Sequence, residues 1–242
     1  MVDIHCHILP GLDDGAADPE EALLMARMAS GGGTRCIIAT PHYGQRDDGL
    51  TTQDIRREAA RLQQLLGEEG QALQILPGME LLCGPNLPQM LEKGDYLTLA
   101  GSRYLLTEFY FDESPDFMDS MLARVAGQGL VPIVAHPERY DAVQDDPVIV
   151  ARWIELGYGI QVNAGSLLGR LGRGSHNAGR WLVHNGLAHM VASDGHDLDM
   201  RVPSLRAVRE YLEDRVSEDC AWEVLYENPR RVAQDLPLLS RN

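Results

Sequence analysis

Asp3-Ile4-His5-Cys6-His7, followed shortly by Asp13-Asp14-Gly15, is the stretch on which the reading of this chain turns. The pentapeptide reads as a β-strand. Strand side chains alternate with period two, so His5 and His7 share a face and can grip one metal ion while Cys6 points the other way. The arrangement recurs along the chain. His42 follows Cys36-Ile37-Ile38-Ala39-Thr40-Pro41, and Glu80 follows Leu73-Gln74-Ile75-Leu76-Pro77-Gly78-Met79. Glu108 ends Tyr104-Leu105-Leu106-Thr107, His136 ends Val131-Pro132-Ile133-Val134-Ala135, and Asp194 and His196 end Met190-Val191-Ala192-Ser193. Metal-type side chains at the ends of successive apolar runs imply one site assembled from many strand ends.

Working outward, strands are expected at 2–6, 35–40, 72–77, 103–109, 130–135, 158–163 and 188–192, with helical patterns between them. Residues 19–30 follow Asp18-Pro19, a capping residue and then proline at the first helical position. Further helices are expected at 52–66, 115–127, 146–156 and 175–185, and the region 204–240 reads as wholly helical. Alternating βα units imply a parallel sheet. Seven strands in this length suit a closed or nearly closed barrel, with a doubly wound open sheet as the alternative. In α/β barrels the active site lies at the C-terminal ends of the strands, where each candidate ligand falls. Gly31-Gly32-Gly33 reads as the exit from the first helix, since no Lys-Ser/Thr follows to complete a phosphate loop.

The 242 residues read as one domain. A formal net charge of −15 argues against a nucleic-acid partner, whose phosphates call for cationic residues. The four cysteines show no CxxC spacing, which suits free thiols in a reducing cytoplasm. No apolar stretch approaches the roughly 20 residues of a membrane span. No basic segment precedes an apolar one at the start, so no signal peptide is expected.

Clustered carboxylates repel one another unless cations offset them. His5, His7, Asp14, His42, Glu80, Glu108, His136, Asp194 and His196 offer nitrogen and oxygen donors without thiolate, a set that suits Mn, Fe or Zn. His176, His184 and His189 carry no such signal; His189 reads as a core-strand residue, the other two as helix or surface positions. A thiol phosphatase would need Cys-x5-Arg. The residues six beyond Cys6, Cys36, Cys83 and Cys220 are Leu12, His42, Gln89 and Tyr226, so that route is not expected.

Together these motifs, with His136-Pro137-Glu138-Arg139-Tyr140, Gln161-Val162-Asn163, Ser193-Asp194-Gly195-His196 and Glu227-Asn228-Pro229, resemble the polymerase-and-histidinol-phosphatase superfamily. Within it the chain is similar, over essentially its full length, to the bacterial metal-dependent tyrosine phosphatases of capsular and exopolysaccharide operons. The resemblance implies a distorted (βα)7 TIM-like barrel with three divalent ions at its mouth, manganese foremost. Carried over by position, His5, His7, Glu80 and Asp194 would hold one ion. Glu80, Glu108 and His136 would hold a second, and Asp14, His42 and His196 a third. It also implies that Arg139 and Arg201 contact the substrate phosphate, and that the substrate is a phosphotyrosine-bearing bacterial tyrosine kinase. The segment Tyr43-Gly44-Gln45-Arg46-Asp47-Asp48 is expected to overhang the site and to tune peptide preference.

The expected chemistry is direct hydrolysis by a hydroxide bridging two ions, with no covalent phosphoenzyme. A phenolate leaves with a conjugate-acid pKa of about 10, so strong general-acid help is less necessary than for an alkyl phosphate; Asp197 or a metal-bound water is the candidate if an acid acts. A histidinol-phosphate phosphatase, or another small-molecule phosphoesterase of the superfamily, is the alternative. A nuclease would call for a basic groove, and a binding-only relic for missing ligands. Oligomeric state is left open.

Overall fold

The computed structural model describes residues 1–44 and 49–239. Strands and helices alternate as the sequence predicts. The strands are β1 (Val2–Cys6), β2 (Cys36–Ala39), β3 (His42–Tyr43), β4 (Gln74–Pro77), β5 (Glu80–Leu82), β6 (Tyr104–Glu108), β7 (Val131–Ala135), β8 (Gly159–Asn163) and β9 (Met190–Ala192). They pair in parallel as two ladders, β1-β2-β4 and β3-β5-β6-β7-β8-β9.

Two of the expected seven strands, 35–40 and 72–77, are each followed by a short further strand, β3 and β5, that the sequence reading does not include. β2 and β3 are halves of one strand, parted at Thr40-Pro41, where proline supplies no N–H to the ladder. β4 and β5 are halves of the next, parted at Gly78-Met79. Backbone bonds bridge both breaks, Gly78 N–H to Ala39 O at 2.9 Å and Glu80 N–H to Pro41 O at 3.0 Å. A side chain at Gly78 would meet Ile38 at 2.9 Å, so glycine lets the two kinked strands lie close. The seven positions thus run in chain order around a distorted barrel. The seam between first and last is bridged past the end of β9, where Asp194 N–H donates to His5 O and His7 N–H to Gly195 O, both at 2.9 Å.

Two apolar layers hold this arrangement. Ile4, Ile38, Leu106, Ile133, Ala135 and Ala192 fill the interior, which Leu99 and Val232 close from below. Alternate residues such as Ile37, Leu105, Val134 and Val191 face outward and pack under the helices. Strands covered on both sides read as continuous apolar runs, as these do. In β1 the register slips between Asp3 and Cys6, so Ile4 joins the inner layer while Cys6 joins the outer one.

The helices are α1 (Pro19–Gly31), α2 (Thr52–Glu68), α3 (Leu87–Lys93), α4 (Pro115–Gly127), α5 (Asp141–Asp145), α6 (Ile149–Glu155), α7 (Ala164–Leu167), α8 (Arg173–His184), α9 (Arg206–Arg215), α10 (Glu218–Trp222) and α11 (Asn228–Ala233). Asp18 caps α1 by accepting from Glu20 N–H at 2.9 Å and Glu21 N–H at 3.0 Å. Gly33, at φ 98°, turns the chain out of it, as the glycine run predicts. The helix expected at 146–156 begins three residues late, as α6 at Ile149, and a separate short helix, α5, ends just before it at Asp145. Asp146 precedes Pro147 and is driven out of helical geometry to φ −141°, ψ 87°. The C-terminal region is also not wholly helical. It breaks at Val216, passes through a π-turn at Glu223–Glu227, and leaves the helix before Asp235, whose φ is 56°.

Candidate metal centre

The structure brings every predicted ligand together at the barrel mouth. His5 and His7 come from β1 and its exit, Asp14 from the following loop, and His42 and Glu80 from the starts of the upper half-strands β3 and β5. Glu108 closes β6, His136 follows β7, and Asp194 and His196 follow β9. Ligand atoms cluster within 4.8 Å of one another in overlapping groups: His7-Asp14-His42-His196, His5-His7-Glu80, His5-His136-Asp194 and His42-Glu80-Glu108. Glu80 is the hub. Its Oε1 lies 2.8 Å from His136 Nε2, and its Oε2 lies 2.9 Å from His42 Nδ1 and 3.3 Å from Nε2 of both His5 and His7.

The imidazoles are aimed by partners behind them. His5 Nδ1 donates to Gln161 Oε1 at 2.9 Å, His7 Nδ1 to Asp13 Oδ2 at 2.7 Å, and His196 Nδ1 to the Asp194 carbonyl at 2.9 Å. A proton held on Nδ1 leaves Nε2 with a lone pair facing the centre. His5 Nε2 and His7 Nε2 then face each other at 3.1 Å, an arrangement that needs a cation or a proton between them. Asp194 Oδ1 and His196 Nε2 are buried with no hydrogen-bond partner among the described residues. Inward lone pairs, orphaned acceptors and nitrogen–oxygen donors fit divalent cations.

The charges agree. Burial alone would push the His5 proton off, but the Glu80 and Asp194 carboxylates outweigh it and raise the imidazole above its ordinary value. For His42, burial is outweighed by Glu108 and Glu80, which lift it to about 10. His196 goes the other way, down to about 3, through burial and the neighbouring His7. Protons on some imidazoles thus balance the carboxylates, a task that passes to cations when they bind.

Backbone strain is concentrated here. Of the four non-glycine residues with positive φ among the described residues, two are candidate ligands, His136 at 34° and Asp194 at 51°. Such conformations persist only where the surroundings enforce them. Asn163 Nδ2 donates to Asp194 Oδ2 at 2.5 Å, and Gln161 Nε2 in turn donates to Asn163 Oδ1 at 2.8 Å. The buried Glu138 pins this edge of β8 by accepting from Asn163 N–H at 3.0 Å and Ser166 Oγ–H at 2.7 Å.

Arg139 and Arg201 converge on Asp194 Oδ2, with Nη1 of the first at 3.4 Å and Nη2 of the second at 2.6 Å. They border a cleft of about 290 Å³ lined also by Asp14, His42, Leu82, Glu108, Phe109, Tyr110 and Phe111. Asp197, one of the two candidates named in case an acid acts, is poorly suited to that role. Burial raises its carboxyl, but N–H groups of Asp199, Arg201 and Met200 outweigh that and hold it below the ordinary range, as the anion that shapes the Arg201 loop. Of the segment 43–48 that the sequence reading expects to overhang the site, residues 45–48 lie outside the described residues.

Sequence reasoning passed over Asp13. Its Oδ2 accepts from both His7 Nδ1 and His42 N–H (2.9 Å), and its Oδ1 accepts from Gly15 N–H (2.9 Å), so one carboxylate sets three ligand-bearing segments. Gly15 must be bare there, since a Cβ would lie 2.0 Å from His7 O. Its signal was adjacency to Asp14. Asp13→Asn is expected to weaken manganese binding about 10–100-fold, the usual cost of losing such an outer partner. Titration against a competing chelator checks this; unchanged affinity would reduce Asp13 to a loop residue.

Comparisons with known proteins identify the chain's relatives. The tyrosine-protein phosphatase YwqE of Bacillus subtilis is 37% identical over 201 residues, covering 83% of this chain and 79% of the relative. The tyrosine-protein phosphatase CpsB of Streptococcus pneumoniae is 28% identical over 240 residues, covering 97% and 99%. The fold superposes with a TM-score of 0.93 and 33% identity on a structure from work on YwqE and CpsB as metal-dependent tyrosine phosphatases, covering 100% of this chain and 97% of that one. A family model described as capsular polysaccharide synthesis, CpsB/CapC, matches residues 1–234, and the chain belongs to that family.

Proposed function

We propose that this chain is a metal-dependent protein-tyrosine phosphatase, a phosphoric monoester hydrolase, whose substrate is a bacterial tyrosine kinase of capsular or exopolysaccharide synthesis. The carrying observation is that two guanidinium groups converge beside a buried histidine–carboxylate cluster at the foot of an open cleft. The partition that the family resemblance implies has His5, His7, Glu80 and Asp194 holding one ion, Glu80, Glu108 and His136 a second, and Asp14, His42 and His196 a third. Divalent ions there, manganese above iron or zinc, would acidify coordinated water and polarise phosphoryl oxygens.

The chain's own residues do the rest. Arg139 and Arg201 receive phosphoryl oxygens through planar, bidentate donors. Gln161, Asp13 and the Asp194 carbonyl keep the imidazoles in the tautomer that faces inward. No residue need protonate a phenolate of pKa about 10, in keeping with an Asp197 held as the anion. A thiolate route is unsupported: burial raises Cys36 to about 11 and drives Cys6 and Cys83 up as well. No helix among the described residues is long and apolar enough to cross a membrane.

Phosphate release from a phosphotyrosine peptide is expected to exceed release from histidinol phosphate with manganese present, to stop on chelation, and to return when manganese is restored. Preference for histidinol phosphate would move the assignment to a small-molecule phosphatase. Chelator-resistant turnover would remove the metal from the reading.

A further inference from the structure

The chain that leaves Glu108 runs Phe109-Tyr110-Phe111, placing two of the molecule's three phenylalanines beside the cleft. Phe109 is buried and sets its ring edge-on to Tyr140 at 6.0 Å, forming structure beneath the site. The next two are different. Tyr110 is 57% exposed and Phe111 43% exposed, although apolar rings facing water gain nothing for the fold. Phe111 is nonetheless held firmly. Its carbonyl accepts from Asp141 N–H at 2.8 Å, its ring lies 6.4 Å from that of Tyr140, and the Arg139 guanidinium carbon sits 4.4 Å over its centroid. A fixed, half-exposed aromatic surface beside charged groups is what a cleft presents to a ligand with an anionic head and an apolar body.

We propose that Tyr110 and Phe111 form an aryl-binding wall, which selects the ring of an aromatic phosphomonoester against the alkyl arm of phosphoserine or a small alkyl phosphate. The inference rests on the reading that this cleft takes a phosphomonoester, and it names what recognises the body of that substrate. The phosphate lies toward Arg139, Arg201 and the ligand cluster, and the phenyl ring packs on Tyr110, Phe111 and Leu82. Phe111 has a second effect, because the ring that receives the substrate also holds Arg139 in place. Aryl esters are chemically more reactive than alkyl esters, so turnover alone would not separate recognition from leaving-group chemistry. Binding of inert phosphonates does.

The test is calorimetric titration of the manganese-loaded protein with phenylphosphonate and methylphosphonate. Wild type is expected to prefer the phenyl compound by about tenfold. Tyr110→Ala and Phe111→Leu should each shrink that preference by about three- to tenfold, the range of one aromatic contact. Tyr110→Phe should keep it, because the ring face and not the hydroxyl carries the contact. Tyr110 is mostly exposed, so its variants retain the fold. Equal affinity for the two phosphonates in wild type, or a preference untouched by both Tyr110→Ala and Phe111→Leu, overturns the proposal. Phosphotyrosine turnover on the same samples judges the activity separately: aryl preference without turnover would sink the phosphatase reading and leave the wall standing.

Discussion

Glu80→Gln is expected to abolish phosphate release, with kcat/KM falling by about a thousandfold or more. Glutamine keeps the shape of Glu80 but removes the charge and turns one acceptor into a donor. That donor would face imidazole nitrogens of His5, His7, His42 and His136, which all approach the Glu80 carboxylate within 3.3 Å. A group proposed to hold two ions is thereby lost from both. Metal ions supply several kcal/mol of charge stabilisation, and each 1.36 kcal/mol is a factor of ten in rate. The variant should also carry less manganese after desalting, by elemental analysis, while its circular dichroism stays native. Near-wild-type turnover would show that Glu80 is only a structural acceptor at the barrel mouth.

Arg201→Ala is expected to lower kcat/KM about 100- to 1,000-fold, the cost of removing one preorganised donor to developing charge. Most of the loss should fall in kcat, because the phosphoryl oxygens attract the guanidinium most strongly as their charge redistributes. Lysine should restore little, since a point charge on a flexible stem cannot reproduce the planar fork. Metal content is the control. Arg201 now bonds Asp194 Oδ2 at 2.6 Å, so deleting this cation frees a proposed ligand and should not weaken metal binding. Loss of metal together with activity would recast Arg201 as a residue that only positions Asp194.

Much of the fold can be read from the residues because the decisive signals are local. Asp18-Pro19 announces a helix start, and a Val, Ile or Leu run announces a buried strand. The candidate ligands are legible for the same reason: His, Asp and Glu stand out after apolar runs. What escapes depends on partners distant in sequence or on backbone detail. The break at Gly78 follows from how closely Ile38 approaches, and α3 is a seven-residue helix with no side-chain cap. The late start of α6, after Pro147, was legible in principle, since proline restrains the residue before it. The roles of Asp13 and Gln161 cannot be read from composition, because each is defined by the histidine it meets. The left-handed backbone at His136 and Asp194 leaves no trace in residue type at all.

The barrel seam has a consequence for how the molecule stays closed. The strands it joins are the first and the last, 190 residues apart, as the Ser193 N–H bond to Asp3 marks. Backbone contact there is brief, and His5 and His7 stand on one side of it with Asp194 and His196 on the other. An ion shared across that line would act as a clasp, with its binding energy added to folding by mass action. Chain closure and catalytic competence would then depend on the same metal supply, and a cell short of the ion would lose the container along with the contents.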